Sequence, residues 1–302
     1  MQNVYDITLR ATVYLHLLIY KKMLPKRRFY SGVFLIILLI TSCENDGQTS
    51  KKNMASTQEK QAQAKQLPKD QFAWKPIKYD TNKRYIYLTF DDGPQNGTTA
   101  CLELIKKLNV KATFFMVGSH VKSDNLAKIV RTVKYNYPQV LLANHSTSHA
   151  NNKYQYFYHH PQMAAEDFYL AQKTLKVPYK IIRLPGNSAW VIDSVVKASG
   201  LVKPVCHLLD SSGYNVIGWD VEWNFNHKTA YPVQRPYKIA EQVDTALARN
   251  HVHTKNHVVI LTHDRMFRKE NFTDSLAKFI NILKQDPRNV FETIDHYPRL
   301  KF

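Results

Sequence analysis

From Tyr85 onward, short apolar runs of strand character alternate with longer segments whose apolar residues recur at helical spacing. The runs Tyr85–Phe90, Ala112–Val117, Gln139–Ala143, Ile181–Leu184, Val216–Trp219 and Val258–Thr262 read as strands, with Phe291–Ile294 as a last short one. Thr99–Leu108, Asn125–Val133, Met163–Leu175, Val191–Ala198, Tyr237–Ala248 and Phe272–Leu283 read as helices between them. About seven strand and helix pairs predict an α/β fold with a parallel barrel, although an open doubly wound sheet would alternate similarly. In both architectures the loops after the strand C-termini build the active site.

Polar clusters stand at five of these ends. They are Asp91-Asp92, Asn144-His145-Ser146-Thr147-Ser148-His149, Arg183-Leu184-Pro185-Gly186-Asn187, Trp219-Asp220-Val221-Glu222-Trp223 and Leu261-Thr262-His263-Asp264. Successive side chains of an extended chain face opposite ways, so Asp91 and Asp92 can do different jobs in one site. Taken alone, the pair could equally be a solvated Asp-Gly turn. His145 and His149, four residues apart, can aim two imidazoles at one point and, with a carboxylate, form a His2Asp set suited to zinc or another divalent transition ion. Three protein ligands leave a position for water and for a polarised carbonyl. Hydrolysis then needs a base and an acid, for which one of the aspartates and His263 are candidates, with Arg183 able to pair with and orient that base. Asp220 or Glu222 could orient Arg183 or His263 in turn. Singly, Arg183 reads as a structural ion pair and His263 as a satisfied histidine; it is their grouping that points to chemistry.

Composition changes this picture little. The 302 residues are 44% hydrophobic, enough for a real core. The formal charge is +18; the first 42 residues hold six Lys/Arg against one Asp, leaving 36 basic and 23 acidic residues, or +13, from Cys43 onward. Such a charge favours a membrane surface or an acidic envelope polymer. No helix-turn-helix, RNA-binding or Cys/His finger pattern accompanies it, so no nucleic-acid partner is expected.

Residues 23–42 read as a signal peptide, a basic cluster followed by the apolar run Val33–Ile40, which is far short of the roughly 20 residues that span a bilayer. Residues 1–22 read as an upstream extension or a mis-assigned start. Ile40-Thr41-Ser42-Cys43 resembles a bacterial lipobox, which implies lipidation at Cys43 and a membrane-anchored envelope lipoprotein, periplasmic or surface-exposed. Residues 43–80 then form a flexible linker and 81–302 the folded domain, the Gln-, Lys- and Ser-rich stretch to about Lys69 being disordered in this reading. Cys101 and Cys206 read as small buried residues, with one disulfide open between them.

The clusters, in this order, resemble the polysaccharide deacetylase family, whose signature matches Thr89-Phe90-Asp91-Asp92-Gly93-Pro94. The resemblance covers about residues 83–300. It implies a distorted (β/α) barrel of about seven strands that removes acetyl groups from sugar polymers with a divalent metal, zinc or else cobalt, nickel or manganese. It further implies that Asp91 is the catalytic base, that Asp92, His145 and His149 bind the metal, and that Arg183 supports the base. Leu261 and His263 match the Leu-x-His motif, in which the leucine lines the acetyl-methyl pocket and the histidine is the acid. Pro185 and Gly186 would border the substrate pocket, the backbone after Pro185 giving an oxyanion donor; here Gly186 replaces the aromatic residue of the Pro-Tyr version. Trp223 could wall the pocket or fill the core, with Asp220 or Glu222 behind it. The stretch Asn151–His160 reads as an aromatic loop that could stack on sugars or pack on the barrel rim. The implied substrate is an N-acetylated glycan, peptidoglycan N-acetylglucosamine foremost. The alternatives are a non-catalytic glycan-binding lipoprotein and a metal-dependent amide hydrolase of small molecules.

Overall fold

The computed structural model describes residues 72–302. The predicted signal peptide, Cys43 and the linker up to residue 71 lie outside the described residues. Residues 72–80, read as the end of the linker, lie against the domain: Trp74 Nε1 donates to the Asp295 carbonyl at 3.0 Å, and the Tyr79 ring packs edge-on against Tyr85 and His257.

In chain order the elements are β1 (Arg84–Gly93), α1 (Thr98–Lys107), β2 (Ala112–Met116), α2 (Asp124–Tyr135), β3 (Val140–Asn144), α3 (Tyr154–His159), α4 (Pro161–Thr174), β4 (Ile181–Ile182), β5 (Trp190–Ile192), β6 (Val195–Lys197), α5 (Lys203–Ser211), β7 (Asn215–Val216), β8 (Val221–Glu222), α6 (Pro236–Ala248), β9 (His257–His263), α7 (Glu270–Lys284) and β10 (Asn289–Phe291). They build one curled sheet in the order β6-β5-β7-β4-β3-β2-β1-β9-β8. The run from β7 to β8 is seven parallel strands, the number the alternation predicts, and the curl is a half-barrel. β10 lies parallel to the start of β1, over Arg84–Ile86, while β2 pairs with its later residues.

β1 is buried on both faces, as a central parallel strand must be. Ile86, Leu88 and Phe90 join the core beneath α1, α6 and α7, whereas Tyr85 and Tyr87 join a second core on the opposite face with Phe115, Leu141 and Val259. Thr89 and Asp91 continue the Tyr85–Tyr87 alternation, which carries Asp91 inward at the strand end. A third core lies under α4, α5 and β5.

Two segments differ from the periodic reading. Val191–Ala198, expected as a helix, is the hairpin β5–β6. Its strands are rich in β-branched residues, and Asp193 and Ser194 form the two-residue connection with φ of 53° and 59°, the left-handed pair that a tight hairpin requires. Helix α5 was not anticipated because Pro204 interrupts the pattern; proline is compatible with the first helical turn, where its missing N–H has no partner to lose. Cys101 and Cys206 are both buried and free, in separate cores.

Candidate metal centre and active site

The end of β1 delivers the two acids to different surroundings. Asp91 is buried, and its Oδ1 accepts from Arg183 Nη1 at 2.9 Å. Arg183, just past β4, is fully enclosed. It also donates to Thr89 Oγ1 (2.5 Å), Ile217 O (3.2 Å) and Gly218 O (3.0 Å), and its guanidinium lies 4.3 Å from the Phe115 ring centroid. Burial pulls the Arg183 pKa down and Asp91 opposes it, so the pair is mutually dependent. Asp92 follows with φ 75°, a left-handed turn that breaks the strand alternation and swings its carboxylate toward the imidazoles.

His145 leaves the end of β3 with its Nδ1 2.9 Å from the Arg183 carbonyl, to which it donates, so that Nε2 is free for the centre. His145 Nε2 is 3.5 Å and His149 Nε2 3.0 Å from Asp92 Oδ1. The loop between them is held by Asp167 of α4, whose carboxylate accepts from the Thr147 and Ser148 N–H groups at 2.8 and 3.1 Å. Ligand atoms of Asp92, His145 and His149 lie within 4.8 Å of one another. Asp92 Oδ1 is buried without a well-aligned donor, facing two ring nitrogens. Two imidazoles and a carboxylate converging on one buried, unsatisfied oxygen fit a divalent transition ion. Burial alone would raise the Asp92 carboxyl, but the contacts with His145 and His149 and the nearby His263 hold it well below the usual carboxylate range. The same acids, Asp91 first, raise His145 against the effect of its burial.

His263, the last residue of β9, pairs in register with Asp91 and turns its Nε2 to 4.0 Å from Asp92 Oδ2. Its Nδ1 is buried without a partner, and Phe225 packs edge-on at 4.8 Å. Burial lowers its pKa, with Asp92 and Asp91 opposing and Glu222 adding a smaller upward pull. Of the two acids left open in the fourth cluster, only Glu222 is among the charges that raise the His263 pKa, and it is the weakest of them. Asp220 turns away: its oxygens accept from the N–H groups of His253 (2.7 Å) and Val259 (2.8 Å), and burial pushes its pKa up to about 6 despite these bonds and the Arg183 charge. Leu261 is buried in β9 beside Glu222. Trp223, named among the pocket residues with core filling as the alternative, is a core residue: it is fully buried against Phe267 and Phe279, with Nε1 donating to Gln234 O at 2.9 Å. An indole this large finds more apolar contact beneath α7 than at an open rim.

Pro185 accepts from the Tyr158 hydroxyl at 2.7 Å through its carbonyl. Gly186 has φ 65°, and a Cβ there would lie 3.1 Å from the Tyr154 ring. Tyr154, at the start of α3, therefore covers the glycine, and its hydroxyl stands 3.5 Å from His149 Nδ1. The aromatic stretch read as a loop is this short helix. Sequence reasoning singled out neither Asp167 nor His120. His120 Nδ1 lies 2.6 Å from the Asp92 carbonyl, fixing the turn from the other side, and is the last residue of the Gly118–His120 turn, which no motif marks. Asp264, named only as the residue after His263, is also a support: it is fully buried behind the Asp-Asp turn and receives the Thr98 hydroxyl.

A family profile described as Polysaccharide deacetylase matches residues 78–199. The chain is 27% identical to a chitin disaccharide deacetylase of Vibrio alginolyticus over 71% of each protein. It is 32% identical to an uncharacterized 30.6 kDa protein of Geobacillus stearothermophilus over 68% of each. The catalytic domain of a peptidoglycan N-acetylglucosamine deacetylase from Eubacterium rectale shares the fold with a TM-score of 0.54, at 24% identity, over 76% of this chain and 97% of that one.

Proposed function

Because the chain belongs to the polysaccharide deacetylase family, whose members are metal-dependent hydrolases, we propose that it hydrolyses acetyl groups from an N-acetylated glycan, with peptidoglycan N-acetylglucosamine as the leading substrate. The observation that carries this reading is the convergence of Asp92, His145 and His149 beside the Asp91–Arg183 pair and His263. The N-acetylated sugar is supported by the relative that acts on a chitin disaccharide.

In this reading Asp92, His145 and His149 hold a divalent ion, zinc foremost. When bound it supplies Lewis acidity toward the acetyl carbonyl and toward a water. Arg183 fixes Asp91 by occupying Oδ1, so Oδ2 is the atom that takes the proton from the attacking water. His263 Nε2 faces the same space and gives its proton to the departing amine nitrogen. Burial lowers the His263 pKa, and Asp92, Asp91 and, less, Glu222 oppose that loss of the proton. In the same reading the backbone N–H after Pro185 receives the developing oxyanion and Leu261 borders the acetyl methyl. We further propose that the protein is tethered to the cell envelope by lipid at Cys43, on the strength of the basic, apolar and Ile-Thr-Ser-Cys succession.

The test of the activity is acetate release from N-acetylglucosamine oligomers and from peptidoglycan by the metal-loaded protein. Release by the wild type, abolished in Asp91→Asn, is the expected result; glycan binding without any release would make it a non-catalytic binder. The anchor is tested by fractionation: Cys43→Ser should move the protein from the membrane to the soluble fraction.

A further inference from the structure

Two open arms flank the centre; the first contains none of the three ligands and adjoins the centre through Tyr154, whose hydroxyl is 3.5 Å from His149 Nδ1. One, about 860 Å³, runs past Gly186 and Asn187 and is walled by Tyr154 and Tyr156, the latter 58% exposed. The other, about 640 Å³, contains Asp92 and His149 and is rimmed by Lys122, Arg265 and Arg268, with no Tyr, Phe or Trp in its lining. Among the described residues none of these three cations forms an ion pair, whereas Arg84, Lys111, Lys238, Arg288 and Lys301 each do. The one carboxylate in this arm is Asp92, already engaged by His145 and His149. His120, on the same rim, is turned through its Nδ1 to the Asp92 carbonyl.

The cations are also placed rather than merely present. Arg268 donates to the Thr229 carbonyl at 2.6 Å and to the Arg265 carbonyl at 3.1 Å, which fixes its guanidinium while leaving N–H groups unused. Arg265 lies 5.5 Å over the Phe225 ring, the same ring that packs against His263. Guanidinium forks recognise planar oxyanions in bidentate fashion, and unpaired cations at a groove draw an anion to it.

We infer that the cationic arm binds a carboxylate carried by the glycan beside the sugar being deacetylated, so that the substrate is an acidic glycan; this rests on the deacetylase reading. Sugars stack along the tyrosine arm while the carboxylate meets Arg268, Arg265 and Lys122. The carboxylate has two chemical sources, a uronic acid within the glycan or a lactyl ether on the neighbouring amino sugar.

Calorimetric binding to the full-length, metal-loaded protein separates these cases independently of turnover. Three tetrasaccharide probes serve: a neutral N-acetylglucosamine oligomer, one alternating N-acetylglucosamine with glucuronate, and one whose alternate N-acetylglucosamine units carry a lactyl ether. At low salt, about 50 mM, at least one acidic probe should bind about tenfold more tightly than the neutral one, the worth of one charge-assisted hydrogen-bond pair. Arg268→Ala combined with Lys122→Ala should bring that ratio close to one, and Arg268→Lys should restore part of it. The acidic probe that binds more tightly identifies the source. Equal binding of all three probes, or a ratio unmoved by the double substitution, overturns the inference. Acetate release is measured in parallel: a preserved binding preference without release from any probe would overturn the deacetylase reading and leave the carboxylate site standing.

Discussion

Arg183 Nη1 and Asp91 Oδ1 lie 2.9 Å apart with both side chains closed off from solvent. Removing one partner leaves the other as an uncompensated buried charge, at a cost of about 3–5 kcal/mol. Arg183→Ala should therefore lose about that much in urea unfolding of the metal-free protein. Arg183→Lys should lie between, since a single ammonium can reach Asp91 but cannot also serve the Ile217 and Gly218 carbonyls.

The adjacent acids should separate on substitution. Asp92→Ala removes one of three ligands and should weaken zinc binding by more than about a hundredfold in calorimetric titration. Asp91→Asn should keep most of the affinity yet lower acetate release by about 10²–10⁴-fold, the range of a lost proton acceptor. Equal metal loss in the two variants would contradict the division of roles.

Asp264 gives a pH signature in the metal-free protein. Burial raises its carboxyl from 3.8 to about 8, against the pull of Thr98 and Gln95. The folded state thus holds a proton that the unfolded chain releases, and stability should fall as pH rises from about 4 to about 8, by at most about 1.4 kcal/mol per pH unit. Asp264→Asn has no proton to lose and should flatten the slope. Parallel stability profiles for wild type and variant, measured by denaturant titration at several pH values, would refute this.

Tyr154 and Gly186 should behave as a coupled pair. Alanine at residue 186 must adopt a left-handed backbone and meets the Tyr154 ring at 3.1 Å, so Gly186→Ala should cost about 1–2 kcal/mol. With Tyr154→Ala in the background only the backbone part remains, and a double-mutant cycle should return a coupling of at least about 0.5 kcal/mol.

The residues at the strand ends were legible because strand alternation and the chemistry of Asp, His and Arg both mark them, and these sites depend on register more than on distant packing. The hairpin Trp190–Lys197 was not legible, since Val191, Ile192, Val195 and Val196 also suit a helix face and the turn Asp193-Ser194 contains no glycine. Trp223 shows a second limit: a tryptophan next to a strand-end acid has the same sequence signal whether it faces the groove or α7. Asp167, His120 and Tyr154 act through backbone groups or through a ring laid over a distant glycine, contacts that exist only once the loops have met.

β1 takes β9 as its neighbour over the whole span Tyr85–Asp91, in register with His257–His263. A ribosome that has released the chain just past β4, through Arg183, has already emitted Asp91, Asp92, His145, His149 and Arg183, yet one edge of the central strand β1 still lacks its partner. Closing that edge waits on a segment about 170 residues downstream, a slow, non-local event. On the proposed mechanism the maturing polypeptide therefore has an interval in which the three metal ligands exist but the proton donor His263 does not, and in which the bare edge of β1 is the surface most in need of protection from other chains.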